Sequence, residues 1–346
     1  MRLVLPCRAS HYRRPGGRFI SALYNDTVWQ SSLRTRYLRI HCPSEIQSKQ
    51  IGAIGRVFSV GDRKTSVRAQ ATVAAGQEGM DPWIIVGNGR VGAAFSDMGD
   101  GDDVVVKRGE AIVPDGEVKK GPIVVCTRND DLESIVEGTP ADRREDLVFI
   151  QNGMLQPWLE TKGLGENTQV LVYFAVAKKG EAPTDGKTDT NPEGLTAAYG
   201  KHADAIASRL HAAGLSCKVL GKTEFQQSML EKLVWICSFM LIGAKHGGCT
   251  VGEVESTHTE EVSNLIKELY VAGCDDLGIP VNAGELQGMV ERLNAYARSV
   301  SHFPTAVKEF PWRNGYFHGL SSTAAANGDA DPCPLHSSLL KEVGAV

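Results

Sequence analysis

The sequence lacks several features that would place it in familiar classes. It has eight cysteines, but none of them forms a C-x-x-C pair or stands near a histidine at zinc-ligand spacing. This pattern argues against a disulfide framework and a structural zinc site, so we expect no metal and a reducing compartment. No apolar run approaches the roughly 20 residues of a membrane-spanning helix. The formal net charge of −4 argues against a general nucleic-acid binder. We therefore expect neither a membrane nor a nucleic acid as partner.

Acidic residues are scarce at the beginning of the chain. Residues 1–68 contain only three of them, whereas arginine and serine are abundant there. This composition is typical of an organelle transit peptide, and Ser66–Gly76 resembles a plastid processing region. A disordered basic arm is the alternative interpretation. We expect residues 1–79 to be a transit peptide or disordered segment. The expected location is the chloroplast or plastid stroma, with the mitochondrion as the weaker alternative.

Residues 80–222 alternate between buried apolar runs and helical patterns. Helices are predicted within Gly92–Met98, Asp131–Pro140 and Ala198–Gly214. Strands are predicted within Trp83–Val86, Asp102–Glu110, Gly121–Asp130, Glu145–Gly153, Thr168–Gly180 and Leu215–Gly221. Strands that alternate with helices indicate a mostly parallel sheet with helices on both faces. The first domain is therefore predicted to be α/β.

The pattern changes after Lys222. Residues 223–320 show helical spacing throughout, and no convincing strand follows. The predicted organisation is thus an α/β domain followed by an all-α C-terminal domain. Residues 321–346 are rich in Ala, Ser, Asp and Pro and are expected to form a loose tail. The apolar stripes of the helices are core-facing, but they could also serve a homodimer.

A G-x-G-x-x-G motif follows the first predicted strand and precedes a short helical stretch. That context is required before such a motif indicates a dinucleotide-binding turn, because three glycines alone are a weak signal. In a Rossmann-type NAD(P)-binding domain the glycines allow the tight turn and the close approach of the pyrophosphate to the helix N-terminus. An ordinary glycine-rich turn is the alternative. The residues of the motif are Gly87, Asn88, Gly89, Arg90, Val91 and Gly92.

The end of the second predicted strand favours NADP(H) over NAD(H). An acidic residue there would bind the ribose hydroxyls of NAD, whereas Lys107 and Arg108 suit a 2′-phosphate. Arg128, just after the third strand, lies at the same edge of the predicted sheet and could also face the cofactor phosphates. The alternative is that these are ordinary solvated surface charges. The expected cofactor is NADPH/NADP+.

Two polar residues are candidates for the site opposite the nicotinamide. Asn152 ends the Phe149–Met154 strand segment at the carboxyl edge, where ligands bind in such sheets. Lys232 lies among apolar residues in the first helix of the second domain and could donate a proton to a carbonyl oxygen. The alternatives are a ligand-free Asn-Gly turn and an exposed helical lysine.

Taken in order, these motifs resemble the ketopantoate reductase (2-dehydropantoate 2-reductase) family. The resemblance covers residues 82–320 and rests on the glycine motif, the basic end of the second strand, Gln151–Met154, Glu231–Leu233 and Lys308–Phe317. It implies a 6-phosphogluconate dehydrogenase-like fold, in which a Rossmann domain precedes an all-α domain. It also implies NADPH-dependent reduction of a small-molecule carbonyl, and the chain would be a divergent, plastid-targeted member.

The resemblance assigns roles to three residues. Lys232 matches the family's general acid, and Asn152 matches the asparagine that helps to bind cofactor and substrate. Glu309 stands five residues before an Asn-Gly pair, like the family's substrate-binding glutamate. We therefore predict that Lys232 and Glu309 are catalytic and that Asn152 binds both cofactor and substrate.

Other positions match the family less well. The serine that contacts the substrate carboxylate corresponds to Ser301, although Ser299 remains an alternative because the segment is shorter here. Asparagines of the family are replaced by Ile236, Met240 and Val251. A buried hydroxyl without a partner costs roughly 1–3 kcal/mol, so a less polar pocket disfavours a hydroxylated keto acid. The sequence predicts a reductase of a 2-keto acid or related carbonyl. The alternative is a non-catalytic NADP(H)-binding sensor or interaction protein of the same fold.

Overall fold

The computed structural model describes residues 82–114 and 120–346. The expected transit segment, residues 1–79, lies outside these described residues. The described chain begins with a sheet and continues as a group of helices, so the predicted Rossmann-type α/β domain followed by an all-α region is confirmed.

Seven short strands form one sheet in the order β2-β1-β3-β4-β5-β6-β7. Strands β1 to β5 are parallel, β6 is antiparallel to β5, and β7 is parallel to β6. β1, β3 and β4 are apolar and entirely buried, as expected for parallel strands covered by helices on both faces. The strands are β1 (Ile84–Val86), β2 (Val104–Val106), β3 (Ile123–Val125), β4 (Leu147–Phe149), β5 (Thr168–Leu171), β6 (Ala197–Tyr199) and β7 (Lys218–Val219).

The strand order creates a crevice at the carboxyl edge of the sheet. β1 lies between β2 and β3, so the connections that leave β1 and β2 run in opposite directions. In open α/β sheets, ligands bind at such a switch point, beyond the carboxyl ends of the strands. The helices associated with the sheet are α1 (Arg90–Asp97), α2 (Leu132–Gly138), α3 (Gln156–Thr161) and α4 (Ala203–Ala212).

The C-terminal region is helical and is centred on one long helix. The helices are α5 (Lys222–Lys245), α6 (Val251–Thr257), α7 (Thr259–Leu277), α8 (Ala283–Ser299), α9 (Asn314–Asn327) and α10 (Pro334–Glu342). α5 is apolar on most of its surface because the sheet and the other helices surround it. Among the described helices it alone is long and apolar enough to cross a membrane, but 72% of its apolar window is buried in the protein. Such burial is typical of a core helix.

The sequence patterns missed some elements and extended others. The expected loose tail, residues 321–346, instead completes α9 and forms α10, in which Leu339 and Leu340 are buried. The loose-tail prediction is wrong because polar composition hid the two leucines that dock on the core. β6 lies where a continuous helix was expected, and α3 was not predicted. The strands are also shorter than the apolar runs that predicted them.

Candidate functional site

The glycine motif forms a tight turn between β1 and α1. Gly87 has φ +104°, in the left-handed region that favours glycine. A Cβ on Gly92 would lie only 1.9 Å from the carbonyl oxygen of Gly87, so α1 starts in direct contact with the turn. A Cβ on Gly89 would meet nothing within 4 Å, because this position faces open space. This geometry permits a ligand to approach the backbone at Gly89 and the first turn of α1.

A cavity of about 820 Å³ opens beside this turn at the carboxyl edge of the sheet. Its walls are the turn, the ends of β2 and β3, and one side of α2. The volume lies within the roughly 300–1,000 Å³ range of small-molecule and cofactor sites. Eight of the predicted cofactor residues line it: Gly87, Asn88, Gly89, Arg90, Val91, Lys107, Arg108 and Arg128. Gly92 and Asn152 are not among the lining residues.

The mouth of the cavity carries charges of both signs. The side chain of Arg108 is 87% exposed and forms an ion pair with Asp131 at 3.2 Å. The backbone N–H of Lys107 donates to a carboxylate oxygen of Glu110 at 2.7 Å. The exposed side chains of Lys107 and Arg108 can reach a phosphate. The carboxylates of Glu110 and Asp131 hold the loop after β2 in place. The residues present therefore suit the phosphate groups of a nicotinamide dinucleotide.

The glycine turn is tied to the segment that follows β5. The guanidinium of Arg90 donates to the carbonyl oxygens of Val176 and Ala177 at 3.3 and 3.1 Å. The ammonium of Lys179 donates to the carbonyl oxygen of Asn88 at 3.0 Å. Although Arg90 lines the cavity, its charge is thus engaged with backbone carbonyls.

Lys232 is buried where that same segment meets α5. Only 6% of Lys232 is exposed, and its ammonium donates to the carbonyl oxygen of Val172. The nitrogen also lies 4.4 Å from the ring centroid of Tyr173. Burial, followed by the charge of Arg313, lowers the pKa of Lys232 to about 7. The alternative of an exposed helical lysine is therefore wrong. A lysine with a pKa near neutrality can exchange a proton with a carbonyl oxygen.

The Asn152 turn lies between the cavity and the helical region. The side-chain amide of Asn129, next to the cavity residue Arg128, donates to the carbonyl oxygen of Asn152 at 3.1 Å. The N–H of Met154 donates to the carbonyl oxygen of Trp312 at 2.8 Å. The side chain of Asn152 is exposed. The turn therefore connects the wall of the cavity with the segment that carries Glu309.

Glu309 adopts a left-handed backbone conformation, with φ 48° and ψ 46°. It is the only non-glycine residue with positive φ among residues 82–114 and 120–346. Its carboxylate accepts a hydrogen bond from the guanidinium of Arg313 four residues later. Strained backbone at a non-glycine residue persists where the surroundings impose it, and such residues cluster at functional sites.

Arg313 is a site residue that sequence reasoning missed. It stands directly before the Asn-Gly pair used to recognise Glu309, so it could have been noticed as a cation within that motif. Its side chain is only 15% exposed. Its charge contributes to the low pKa of Lys232. Arg313 thus connects the other two residues, because it pairs with Glu309 and its charge acts on Lys232.

The two candidate serines lie elsewhere. The side chain of Ser299 donates to the carbonyl oxygen of Tyr296 at 2.7 Å. Ser301 is exposed, and its carbonyl oxygen accepts from the N–H of Gly252 at 2.9 Å. Neither contact brings a serine hydroxyl to Lys232, so the assignment of a serine to the substrate carboxylate stays a prediction.

The surroundings of Lys232 are aromatic and apolar. Tyr296 packs edge-on against Tyr173 at 4.9 Å and against Trp235 at 4.7 Å between ring centroids. Ile236, where the family carries an asparagine, is 6% exposed. This environment explains the low pKa of Lys232, because a charged ammonium is poorly solvated among aromatic rings.

A second cluster of ionisable groups lies at the far end of α5. The rings of His246 and His258 stack at 3.6 Å, and His246 contacts Glu261 at 2.7 Å. The ammonium of Lys245 donates to the other oxygen of Glu261 at 2.6 Å. Although these groups are close enough to hold a cation, Lys245 already neutralises the carboxylate. We assign the cluster to ion pairing.

No family model and no curated protein sequence matches the chain significantly. Solved structures do match, each over 76% of this chain. The dimeric ketopantoate reductase of Staphylococcus aureus is 16% identical, is covered over 99% of its length and gives a TM-score of 0.50. The 2-dehydropantoate 2-reductase of Methylococcus capsulatus gives 13%, 96% and 0.53. D-mandelate dehydrogenase in complex with NADH gives 15%, 98% and 0.54.

These similarities extend over nearly the whole length of the solved proteins, although few residues are identical. The chain has the fold shared by ketopantoate reductases and D-mandelate dehydrogenase.

Proposed function

We propose that the protein is an NADPH-dependent reductase of a 2-keto acid or a related carbonyl, similar to ketopantoate reductase. The observation that carries this proposal is the burial of Lys232, whose pKa lies near 7. A surface lysine would keep its usual pKa, and a protein that only binds a nucleotide has no need of a buried one. General acids work best when their pKa lies near the working pH.

The described residues divide the work between two places. The cavity beside the glycine turn holds the dinucleotide, and Lys107, Arg108 and Arg128 favour the 2′-phosphate of NADPH. NADPH, when bound, supplies a hydride to the carbonyl carbon. Lys232 gives its proton to the carbonyl oxygen, and the carbonyl oxygen of Val172 holds its ammonium in position. Asn152 orients cofactor and substrate from the turn between them.

The proposed substrate is less polar than ketopantoate. Ile236 and Met240 stand where hydroxyl-binding asparagines are expected, and Tyr173, Tyr296 and Trp235 pack beside Lys232. An apolar environment leaves a substrate hydroxyl without a partner, at a cost of roughly 1–3 kcal/mol. The matched D-mandelate dehydrogenase was solved with the aromatic anion anilino(oxo)acetate. We infer that a 2-keto acid with an apolar or aromatic side chain is preferred.

The first test is oxidation of NADPH by the purified chain. Ketopantoate and a panel of apolar 2-keto acids are compared, and NADPH binding is measured in parallel. We expect turnover of apolar keto acids that is lost in Lys232→Ala. Equal or better turnover of ketopantoate would reject the specificity proposal. NADPH binding without turnover of any carbonyl would reject the reductase and favour a sensor, and absence of NADPH binding would reject both.

We further propose that the protein acts in the plastid and forms a homodimer. The Arg- and Ser-rich composition of residues 1–79 supports the first proposal. The fold similarity to a dimeric ketopantoate reductase supports the second. A fluorescent fusion of residues 1–80 should enter plastids, and a cytosolic signal would contradict the proposed location. Sedimentation analysis that finds only monomer would contradict the dimer.

A further inference from the structure

We propose that Arg313 binds the carboxylate of the substrate and thereby makes the site specific for 2-keto acids over neutral carbonyl compounds. This inference rests on the proposed function, because it assigns the anion-binding residue of the same site.

The guanidinium of Arg313 has an unused donor in a buried place. One terminal nitrogen donates to the carboxylate of Glu309. The Nε–H is buried and meets no hydrogen-bond partner among the described residues. A buried donor without a partner is costly, and arginine presents its donors in a planar fork that matches a carboxylate. The geometry therefore leaves one donor of Arg313 available for a second anion beside Glu309.

The charges around Lys232 do not balance. Two cations, Lys232 and Arg313, lie in this part of the structure, and the carboxylate of Glu309 pairs with Arg313. The nearby pair of Arg292 and Glu231, joined at 2.6 Å, is neutral by itself. When Lys232 is protonated, the group carries one excess positive charge. Buried charges require a partner, and the anion of a 2-keto acid supplies it.

Arg313 also lies close to the residues proposed to act on the substrate, Lys232 and the Asn152 turn. Its charge lowers the pKa of Lys232 and opposes the rise that burial causes in the pKa of Cys237, so Arg313 lies close to α5. Trp312, the residue before it, accepts the hydrogen bond from the Asn152 turn through Met154. An anion bound by Arg313 would therefore lie near Lys232 and near the Asn152 turn, which contacts the wall of the cavity.

The test uses a probe that binds but is not reduced. Anilino(oxo)acetate carries a carboxylate next to an amide carbonyl, and its neutral primary amide has the same shape without the charge. Binding of both to the full chain in the presence of NADP+ is measured by calorimetry. We expect the wild type to prefer the carboxylate. Arg313→Met should weaken carboxylate binding about 30-fold or more and leave the amide unchanged, since a buried charge partner is removed.

Two further variants separate a binding role from a structural one. Arg313→Gln keeps a donor for Glu309 without the charge and should lose the carboxylate preference in the same way. Arg298→Met removes an exposed arginine that pairs with Glu255, and it should bind both probes like the wild type. Unchanged NADPH affinity and unfolding temperature would show that the Arg313 variants are folded. If Arg313→Met misfolds, Arg313→Gln decides.

The outcomes for Arg313 and for the reductase are distinguishable. Equal binding of both probes to the wild type, or unchanged carboxylate binding in both Arg313 variants, would overturn the role of Arg313. Reduction of neutral ketones in the same preparations would then still support the reductase. Conversely, carboxylate binding that depends on Arg313, without oxidation of NADPH by any carbonyl, would support the anion site and reject the reductase. A wild type that binds neither probe would overturn the Arg313 proposal.

Discussion

The single side chain of Lys232 sets the expected pH dependence of the reaction. Its pKa is lowered to about 7, so the ammonium that donates the proton is lost above that pH. We expect kcat/KM for carbonyl reduction to fall as the pH rises above about 7. The reverse oxidation of the hydroxy acid should rise over the same range, because it needs the neutral amine. Initial rates in both directions across about pH 5–10 would test this expectation.

The variant Lys232→Met separates chemistry from cofactor binding. General acid–base groups contribute roughly 10²–10⁴-fold to the rate, so a loss of that size is expected. NADPH affinity should stay unchanged, because Lys232 does not line the cavity beside the glycine turn. A variant that keeps the wild-type rate and the same pH profile would show that Lys232 is a structural residue.

The proposed preference for NADPH depends on exposed side chains at the cavity. The side chain of Arg108 is 87% exposed and pairs with Asp131 at the surface, so its guanidinium is free to turn toward a phosphate. The double variant Lys107→Ala/Arg108→Ala should weaken NADPH binding at least about 10- to 100-fold, because even one charge-assisted hydrogen bond to the phosphate contributes roughly 1.5–3 kcal/mol. NADH binding should change little. Equal loss for both nucleotides would contradict a role in 2′-phosphate recognition.

The sequence identified many of the candidate site residues, but it did not indicate which of them contact one another. The positions of the residues around Gly87 and of Arg108 beside the cavity were predictable, because a motif fixes their place at the strand ends. The ion pair between Glu309 and Arg313 was not, since no local pattern indicates which surface arginine becomes buried. The burial of Lys232 against Val172 likewise depends on packing between distant segments.

The junction of β1 and α1 is the element on which the proposed cofactor binding depends. The close contact between Gly92 and the carbonyl oxygen of Gly87 leaves no space for a side chain. Gly92→Ala should displace α1 from the turn, cost roughly 1–3 kcal/mol of stability as overpacking does, and weaken NADPH binding. Gly319→Ala, in α9 where an added Cβ meets nothing within 4 Å, is the matched control.

The control should behave in the opposite way. Alanine favours a helix by up to about 1 kcal/mol over glycine, so Gly319→Ala should be neutral or stabilising and should bind NADPH normally. Thermal unfolding and nucleotide titration of both variants would check this pair. Normal NADPH binding by Gly92→Ala would contradict the close packing of α1 on the turn.

Elements with strong periodicity were predictable, and elements fixed by tertiary contacts were not. The helical pattern after Lys222 gave α5, and its end at Lys245 before two glycines followed from the sequence. β6 was hidden because Ala197–Tyr199 carries no strand-like alternation and joins the sheet through its pairing with β5 and β7. α10 was hidden because its buried His336, which contacts Asn314 at 2.9 Å, resembles a surface residue in sequence.

At the scale of the whole molecule, the order of domains could be read from the chain, whereas the packing between them could not. Alternating strands followed by helices fix a Rossmann-type domain and then an all-α region. The placement of the Asn152 turn against Trp312 results from the folded backbone alone. That contact joins the wall of the cavity to the segment that carries Glu309. The candidate site therefore depends on both regions of the described chain together.

The buried ammonium of Lys232 should also affect the stability of the whole molecule. The pKa of a lysine is 10.5 in the unfolded chain and about 7 here, so the unfolded state binds more protons between these values. The free energy of unfolding therefore rises as the pH increases from about 7 to 10. Below about pH 7 the protein bears the full cost of burying the charged lysine. Each pKa unit corresponds to about 1.4 kcal/mol, which makes the penalty on the order of a few kcal/mol.

The stability of Lys232→Met relative to wild type measures this penalty directly. The variant removes the buried charge but keeps an unbranched apolar chain, so it should unfold at higher denaturant concentration than the wild type at about pH 6. The advantage should shrink toward about pH 10, because there the folded-state lysine is neutral and the pH approaches the unfolded-state pKa of 10.5, so the neutral form costs little. Lys341→Met, which changes an exposed lysine of α10, should show no such pH-dependent difference. A constant difference between Lys232→Met and wild type across this range would mean that Lys232 is not held neutral by burial, and the general-acid assignment would lose its physical basis.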